Sequence, residues 1–319
     1  MSKEEEITRI LAVSLRQLLV RLSPDYGRLE EIRLRVNGPL QVACGAGRQF
    51  VSDQGRFCGR EEAHIVTPGE LRETMEYLSS YSRYAFEEKI RQGFLTVQGG
   101  HRVGLCGGVV LDGGRVKTIS PIAFLNIRIA RQAIGCGRET VLRLWEKGEL
   151  LDTLIVSPPG LGKTTLLRDL VRLLSDGEGA AACTVGVVDE RSELAACYRG
   201  VPQNDLGGCT DVLDGCPKAE GMLMLVRSMS PQVIAVDEIG GEEDCRAVEY
   251  VMNCGCRIFA TAHGAGLKEL SRRPVFGRWL AEKRFGRYVL IEREKDAVFY
   301  RVCQADGQTL WRGRRPEGE

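Results

Sequence analysis

The chain has 319 residues, enough to bury two cores of ordinary size. Its 44 Lys and Arg against 43 Asp and Glu leave a formal charge of +1, so no global field draws it to nucleic acid or an anionic membrane. The opening Met1-Ser2-Lys3-Glu4-Glu5-Glu6 is too acidic for a signal peptide, no apolar run approaches the about 18 residues of a membrane span, and the 12 cysteines contain no CxxC pair; a cytosolic protein with reduced thiols is expected.

Ile7, Ile10, Leu11, Leu15, Leu18, Leu19 and Leu22 share one face of a predicted helix over 7–22, with acids and arginines on the other. Glu31-Ile32-Arg33-Leu34-Arg35-Val36 then alternates with period two, Asn37-Gly38-Pro39 turns, and Leu40-Gln41-Val42 resumes, which predicts an antiparallel pair. Thr67-Pro68-Gly69-Glu70 has the form of a capping box with proline at the first helical position. The helix it opens turns Leu71, Met75, Leu78 and Phe86 inward and stops near Gly93. Strand-like pieces follow over 94–97, 102–110 and 116–129, broken by Gly99-Gly100, Gly107-Gly108 and Asp112-Gly113-Gly114. Residues 1–136 are expected to form an α+β domain in which His64 and His101 are structural, with Gly135-Cys136-Gly137 as a flexible break before a helix over 139–146.

From Leu151 the pattern changes to buried apolar runs: Leu154-Ile155-Val156, Val185 to Val188, Val233 to Val236 and Ile258-Phe259-Ala260. Such runs, separated by helical or loop sequence, predict a largely parallel sheet over 137–319. Alternation over 288–292 and 298–303 adds an antiparallel appendage and a basic tail.

The first of these runs leads into Ser157-Pro158-Pro159-Gly160-Leu161-Gly162-Lys163-Thr164-Thr165, followed by an amphipathic helix. A strand, a glycine-rich loop and a helix in that order are what a phosphate-binding loop requires. Backbone amides surround phosphate oxygens, the helix N-terminus adds positive potential, Lys163 reaches the β- and γ-phosphates of ATP, and Thr164 offers its hydroxyl to Mg2+. Ser157 stands where the motif usually has its first glycine, with little consequence because the cradling amides come mainly from Gly160 to Thr165.

The third run ends in Asp237-Glu238 at the carboxyl edge of the predicted sheet, where ligands bind in open α/β folds. Asp237 is placed to hold the magnesium shell and Glu238 to polarise a water toward the γ-phosphate. The preceding run ends alike in Asp189-Glu190-Arg191-Ser192-Glu193, where Glu190 or Glu193 serves the metal shell or its water, or Ser192 caps a helix amid solvated acids. Thr261 and His263 end the fourth run as polar groups able to sense a γ-phosphate, His263 being the better candidate. Arg227, Arg128 and Arg131 are the arginines of interest, since phosphoryl-transfer charge is often neutralised by an arginine of a neighbouring subunit.

The runs Asp189 to Glu193, Gly200-Val201-Pro202-Gln203, Thr210 to Asp214, Cys216 to Gly221, Arg227 to Pro231, Val236 to Gly240 and Ala260 to Gly264 closely resemble the stage III sporulation protein AA family. The likeness extends upstream through Glu31 to Arg35, His101 to Gly104 and Asn126 to Arg131. That family is similar in turn to the hexameric ATPases of type II and type IV secretion and pilus machines, where an N-terminal domain is hinged to a RecA-like ATPase domain. The resemblance implies a RecA-like P-loop fold preceded by a smaller α+β domain, with ATP and Mg2+ as ligands. It places Lys163 and Thr164 in the phosphate loop, Glu190 and Glu193 in an acidic box, Glu238 in the Walker B box and His263 in a histidine box. Arg227 matches an arginine before the Walker B strand, and Arg128 and Arg131 match N-domain arginines that approach nucleotide. One departure is Asp237, where secretion ATPases commonly carry glycine. The implied function is an ATP-hydrolysing motor, a homo-hexamer docked on membrane proteins of a mother-cell/forespore channel complex from the cytosolic side; the alternatives are an ATP-gated scaffold or a RecA-like nucleic-acid motor, although no nucleic-acid partner is expected from the charge.

Overall fold

A computed structural model describes residues 2–45, 47–79, 90, 93–179 and 181–316, and the chain divides into two compact units, Met1–Arg131 and Gln132–Glu319. The break thus falls before the expected 136/137 boundary. The Gly135–Gly137 segment is no flexible linker, because the amides of Gly135 and Gly137 donate to the buried Asp169 carboxylate over 3.0 and 2.7 Å and Cys136 is itself buried.

In the N-terminal unit, β1 (Leu29–Arg35), β2 (Gln41–Cys44), β3 (Arg48–Val51), β4 (Phe57–Cys58), β5 (Phe94–Thr96), β6 (Arg102–Asp112) and β7 (Arg115–Arg128) form an antiparallel sheet in the order β4-β3-β2-β1-β7-β6-β5. Ile32 pairs with Val42 across the predicted hairpin, as the alternation required. The apolar stripe from Ile7 to Leu19 is buried, but on two helices, Lys3–Thr8 and Val13–Leu22, not one. The break at Ala12 has a partner that the sequence pattern does not reveal, since its amide donates to Thr74 Oγ1 at 3.0 Å. The Thr67/Glu70 capping box forms and opens the helix Pro68–Ser79, with Glu70 N–H on Thr67 Oγ1 at 3.1 Å and Thr67 N–H on Glu70 Oε2 at 2.8 Å. Phe86 lies outside the described residues.

The C-terminal unit opens with a single helical turn, Arg138–Val141, where a longer helix was expected. Lys147-Gly148 instead folds β8 (Trp145–Glu146) onto β9 (Glu149–Leu150). Its main sheet comprises β10 (Thr153–Ser157), β11 (Val185–Asp189), β12 (Thr210–Asp214), β13 (Val233–Val236), β14 (Arg257–His263), β15 (Arg287–Glu294), β16 (Ala297–Gln304) and β17 (Thr309–Arg314). The order is β12-β11-β13-β14-β10-β15-β16-β17, parallel from β12 to β15 and antiparallel beyond. The C-terminal strands are therefore continuous with the central sheet, not a separate appendage.

The inner parallel strands β10, β11, β13 and β14 are apolar on both faces because both are covered, whereas the edge strand β12 is only partly buried. Ile155, Val187, Ala235 and Phe259 pack with the helix Lys163–Asp176, whereas Leu154, Val188, Ile234 and Ala260 pack on the other side with residues of the helices Lys218–Ser228, Glu242–Asn253 and Pro274–Ala281. This three-layer arrangement leaves the carboxyl ends of β10, β11, β13 and β14 side by side.

Candidate nucleotide site

β10 ends at the fully buried Ser157, whose hydroxyl donates to Pro158 O at 2.6 Å. The chain then turns through Gly160 (φ +77°) and Gly162 (φ +95°), left-handed values at which a side chain is strained, and enters the helix Lys163–Asp176. Gly162 caps that helix with no side chain, so the first-turn amides keep no side-chain acceptor and point, with the positive end of the helix dipole, at whatever the loop encloses. An anion fits this cradle.

The acids of β13 arrive beside it through β14. Thr261 is fully buried and pairs its hydroxyl twice: it donates to Asp237 Oδ1 and accepts the Glu238 N–H at 2.8 Å. The second Asp237 oxygen accepts from Thr164 Oγ1 at 2.6 Å. Asp237 is thus held between a loop hydroxyl and a strand hydroxyl, and Glu238 is forced into a left-handed conformation, φ +56°, that costs a non-glycine residue about 1–2 kcal/mol.

Glu238 is the centre of the charge cluster. Lys163, only 6% exposed, donates its Nζ to Glu238 Oε1 at 2.9 Å and lies 3.3 Å from His263 Nε2. His263 Nε2 is itself 2.9 Å from Oε1, and this shorter contact assigns it as a donor to the carboxylate. Arg191 donates to Oε2 at 3.1 Å. Burial pushes the Glu238 carboxyl up, but the Lys163 ion pair and the His263 ring outweigh it and hold the carboxyl below its usual range.

The end of β11 carries the same dipeptide in a different setting. Asp189 is 3% exposed and accepts from the amides of Glu193 and Ala195 at 2.8 and 2.7 Å; burial nonetheless raises its carboxyl above the usual range. Arg168, from the helix that follows the loop, binds the carbonyls of Glu193 and Leu194 at 2.5 and 2.8 Å and fixes the same turn. Glu190 is paired with Lys218 Nζ at 2.6 Å, while Glu190, Glu193, Asp237 and Glu238 line one narrow cleft between the two strand ends.

The structure therefore brings together Lys163, Thr164, Asp237, Glu238 and His263, with Glu190 and Glu193 at the rim. It does not bring Arg227 to them. The helix Lys218–Ser228 begins beside Glu190, and nine residues later, at about 1.5 Å per residue, the exposed Arg227 is at its far end. Arg128 and Arg131 belong to the N-terminal unit; both are exposed, and Arg131 lies 3.7 Å from Glu30. Sequence reasoning assigned no role to Asp189, Arg168, Arg191 or Lys218, and it ranked Thr261 below His263. For Thr261 the signal was its place on the strand adjacent to β13, one residue past the Val236–Ala260 register pair.

The profile of the family described as "Sporulation stage III, protein AA" matches residues 1–304. The stage III sporulation protein AA of Bacillus subtilis (strain 168) is 40% identical over 310 residues, 96% of this chain and 97% of that protein. The chain belongs to this sporulation family. Among solved structures, that of the Legionella pneumophila ATPase DotB matches with a TM-score of 0.59 at 15% identity, covering 94% of this chain and 82% of that one. The pilus retraction motor PilT, solved with bound ADP, matches with a TM-score of 0.61 at 13% identity over 91% and 82% of the two chains. These likenesses show the fold alone, a RecA-like α/β architecture. Among the described residues no helix is long and apolar enough to cross a membrane.

Proposed function

We propose that the chain is an ATP-hydrolysing motor that energises a channel complex between mother cell and forespore, assembling as a ring, a hexamer by its resemblance to secretion ATPases, on membrane partners at the cytosolic face. The observation that carries this reading is the convergence of Lys163, Thr164, Asp237, Glu238 and His263 at one glycine loop. Each donor set suits its ligand. The left-handed glycines and uncapped amides suit phosphate, and the Thr164 hydroxyl beside the Asp237 carboxylate offers the hard oxygens that Mg2+ takes together with phosphate. Magnesium, when bound with the nucleotide, supplies positive charge against the phosphate oxygens.

In this reading the amides of residues 160–165 and the Lys163 ammonium bind the polyphosphate. In doing so Lys163 leaves Glu238 Oε1, which then keeps only the His263 contact and has a lone pair open to orient a water and take its proton. His263 keeps Glu238 in place and stands where it can sense the γ-phosphate. Glu193 and Glu190 serve the rim of the cleft; Arg227, at the far end of its helix, is assigned to a neighbouring subunit's nucleotide, and Arg128 and Arg131 to nucleotide across a domain or subunit junction.

One observation favours a second reading, an ATP-gated scaffold with little hydrolysis. Both Glu238 oxygens are taken, Oε1 by Lys163 and His263 and Oε2 by Arg191. A carboxylate so engaged activates no water until those contacts move. Phosphate release from Mg-ATP, measured on the unaltered chain and on Lys163→Ala at concentrations where the protein assembles, separates the readings. The motor requires turnover in the first that is lost in the second, and equal rates would sink it.

A further inference from the structure

β17 alternates its faces and Arg315, the residue just past its end, continues the pairing, so Trp311, Gly313 and Arg315 share one side while Arg312 and Arg314 take the other. Trp311 packs against the core face that holds the helix Lys163–Asp176, and Gly313 is glycine because a Cβ there would lie 2.2 Å from the indole. Arg315 therefore turns toward that same face, its backbone fixed by an N–H donated to Val298 O at 2.8 Å. Its guanidinium reaches the phosphate loop: a Cβ on Gly162 would lie 3.1 Å from Arg315 Nη1 and 3.8 Å from Thr165 Cβ.

Two further facts bear on this guanidinium. Arg312, on the opposite face, is taken by Glu292 and Glu294, whereas among the described residues no carboxylate forms an ion pair with Arg315. Cys136, whose Sγ lies 4.0 Å from Thr165 O, has its thiol pushed up to about 11 by burial and Asp169, with Arg315 working against the rise. Among the described residues, a guanidinium with no ion-pair partner thus stands beside a loop whose geometry suits an anion.

The strand order sets this guanidinium apart from the Glu238 cluster. β13 and β14, which carry Glu238 and His263, lie on one side of β10 and its loop, and β15, β16 and β17 lie on the other. Lys163 is drawn toward the first side, to Glu238. We propose that Arg315 is a nucleotide-binding residue supplied in cis by the last strand, and that its guanidinium holds phosphate oxygens common to ADP and ATP at Gly162 and Thr165, while the γ-phosphate belongs to the Lys163–Glu238 side. The proposal rests on the ATPase reading. Guanidinium and phosphate make charge-assisted, commonly bidentate hydrogen bonds, so the contact sets affinity more than the chemical step.

Titration of Mg-ADP and Mg-ATP into the full chain and its variants tests it. Arg315→Gln is expected to weaken both nucleotides about tenfold, in line with the loss of one charged hydrogen-bonding partner, with turnover at saturating ATP changed less than about twofold. Arg315→Lys should recover part of the affinity, and Arg314→Gln, which removes the same charge on the other face, should bind as the unaltered chain does. Unchanged affinity in Arg315→Gln overturns the assignment, as does a loss confined to ATP with an equal loss in turnover. If the unaltered chain binds no better than Lys163→Ala, the ATPase reading falls and this proposal with it; if it binds well and Arg315→Gln matches it, only Arg315 is removed.

Discussion

β11 and β13 are neighbouring parallel strands that both end in Asp-Glu, yet the two pairs are put to opposite uses. At β11 the aspartate is buried and spent on backbone amides, and the glutamate is turned out to Lys218. At β13 the aspartate faces two hydroxyls, one of them from the phosphate loop, and the glutamate meets the loop lysine. The difference lies in what stands beside each strand. β13 has β14 next to it, which supplies Thr261 and His263, whereas β11 has β12 and a turn whose amides need an acceptor. Identical dipeptides at one sheet edge thus become a fold determinant in one place and, in the proposed reading, a reactive pair in the other.

The largest effect expected from breaking this contrast is kinetic. Glu238→Gln should lower phosphate release by about a hundredfold or more, the usual weight of a general base, while Glu190→Gln should lower it by less than about tenfold, as checked by steady-state assay at saturating Mg-ATP. Equal losses would mean that both strand ends serve the reaction. Thr261→Val comes next: it removes the hydroxyl that joins Asp237 to the Glu238 amide, and turnover should fall about tenfold with a stability loss of about 1–2 kcal/mol.

Stability should invert the ranking of the aspartates. Asp189→Asn turns an amide group toward two backbone N–H donors in a buried site and should cost about 2–3 kcal/mol in denaturant unfolding. Asp237→Asn should cost less than about 1 kcal/mol and show instead in weakened Mg-ATP binding. The smallest effect is on pH. Glu238 is held below its usual range, so its contribution is present above the unfolded carboxylate value, about 4.3, and is lost as pH falls through the lower folded value. Glu238→Gln should flatten that part of the acid unfolding curve, whereas a slope identical to that of the unaltered chain would show the Lys163 pair to be too solvated to matter.

Much of the fold was legible because burial on both faces writes itself as unbroken apolar runs: β10, β11, β13 and β14 each follow from three or four residues of sequence. The phosphate loop was legible for the same local reason, a strand, glycines and a helix in contiguous order. What was not legible depends on partners distant in sequence. Nothing in residues 7–22 announces that Thr74 takes the Ala12 amide and splits the helix. Nothing in Gly135-Cys136-Gly137 shows that Asp169 will pin it. The two Asp-Glu pairs read alike until β14 and the 190–195 turn are placed beside them, and Arg315 reads as part of a basic tail until β17 joins the sheet.

The central claim is that Glu238 acts on the terminal phosphate of a nucleotide held at Gly160 to Thr165. Incubating Glu238→Gln and the unaltered chain with Mg-ATP, removing free nucleotide, and identifying what stays bound tests it most directly. The account predicts intact ATP on Glu238→Gln and ADP on the unaltered chain. ADP on both at the same rate, or no nucleotide retained by either, would contradict it.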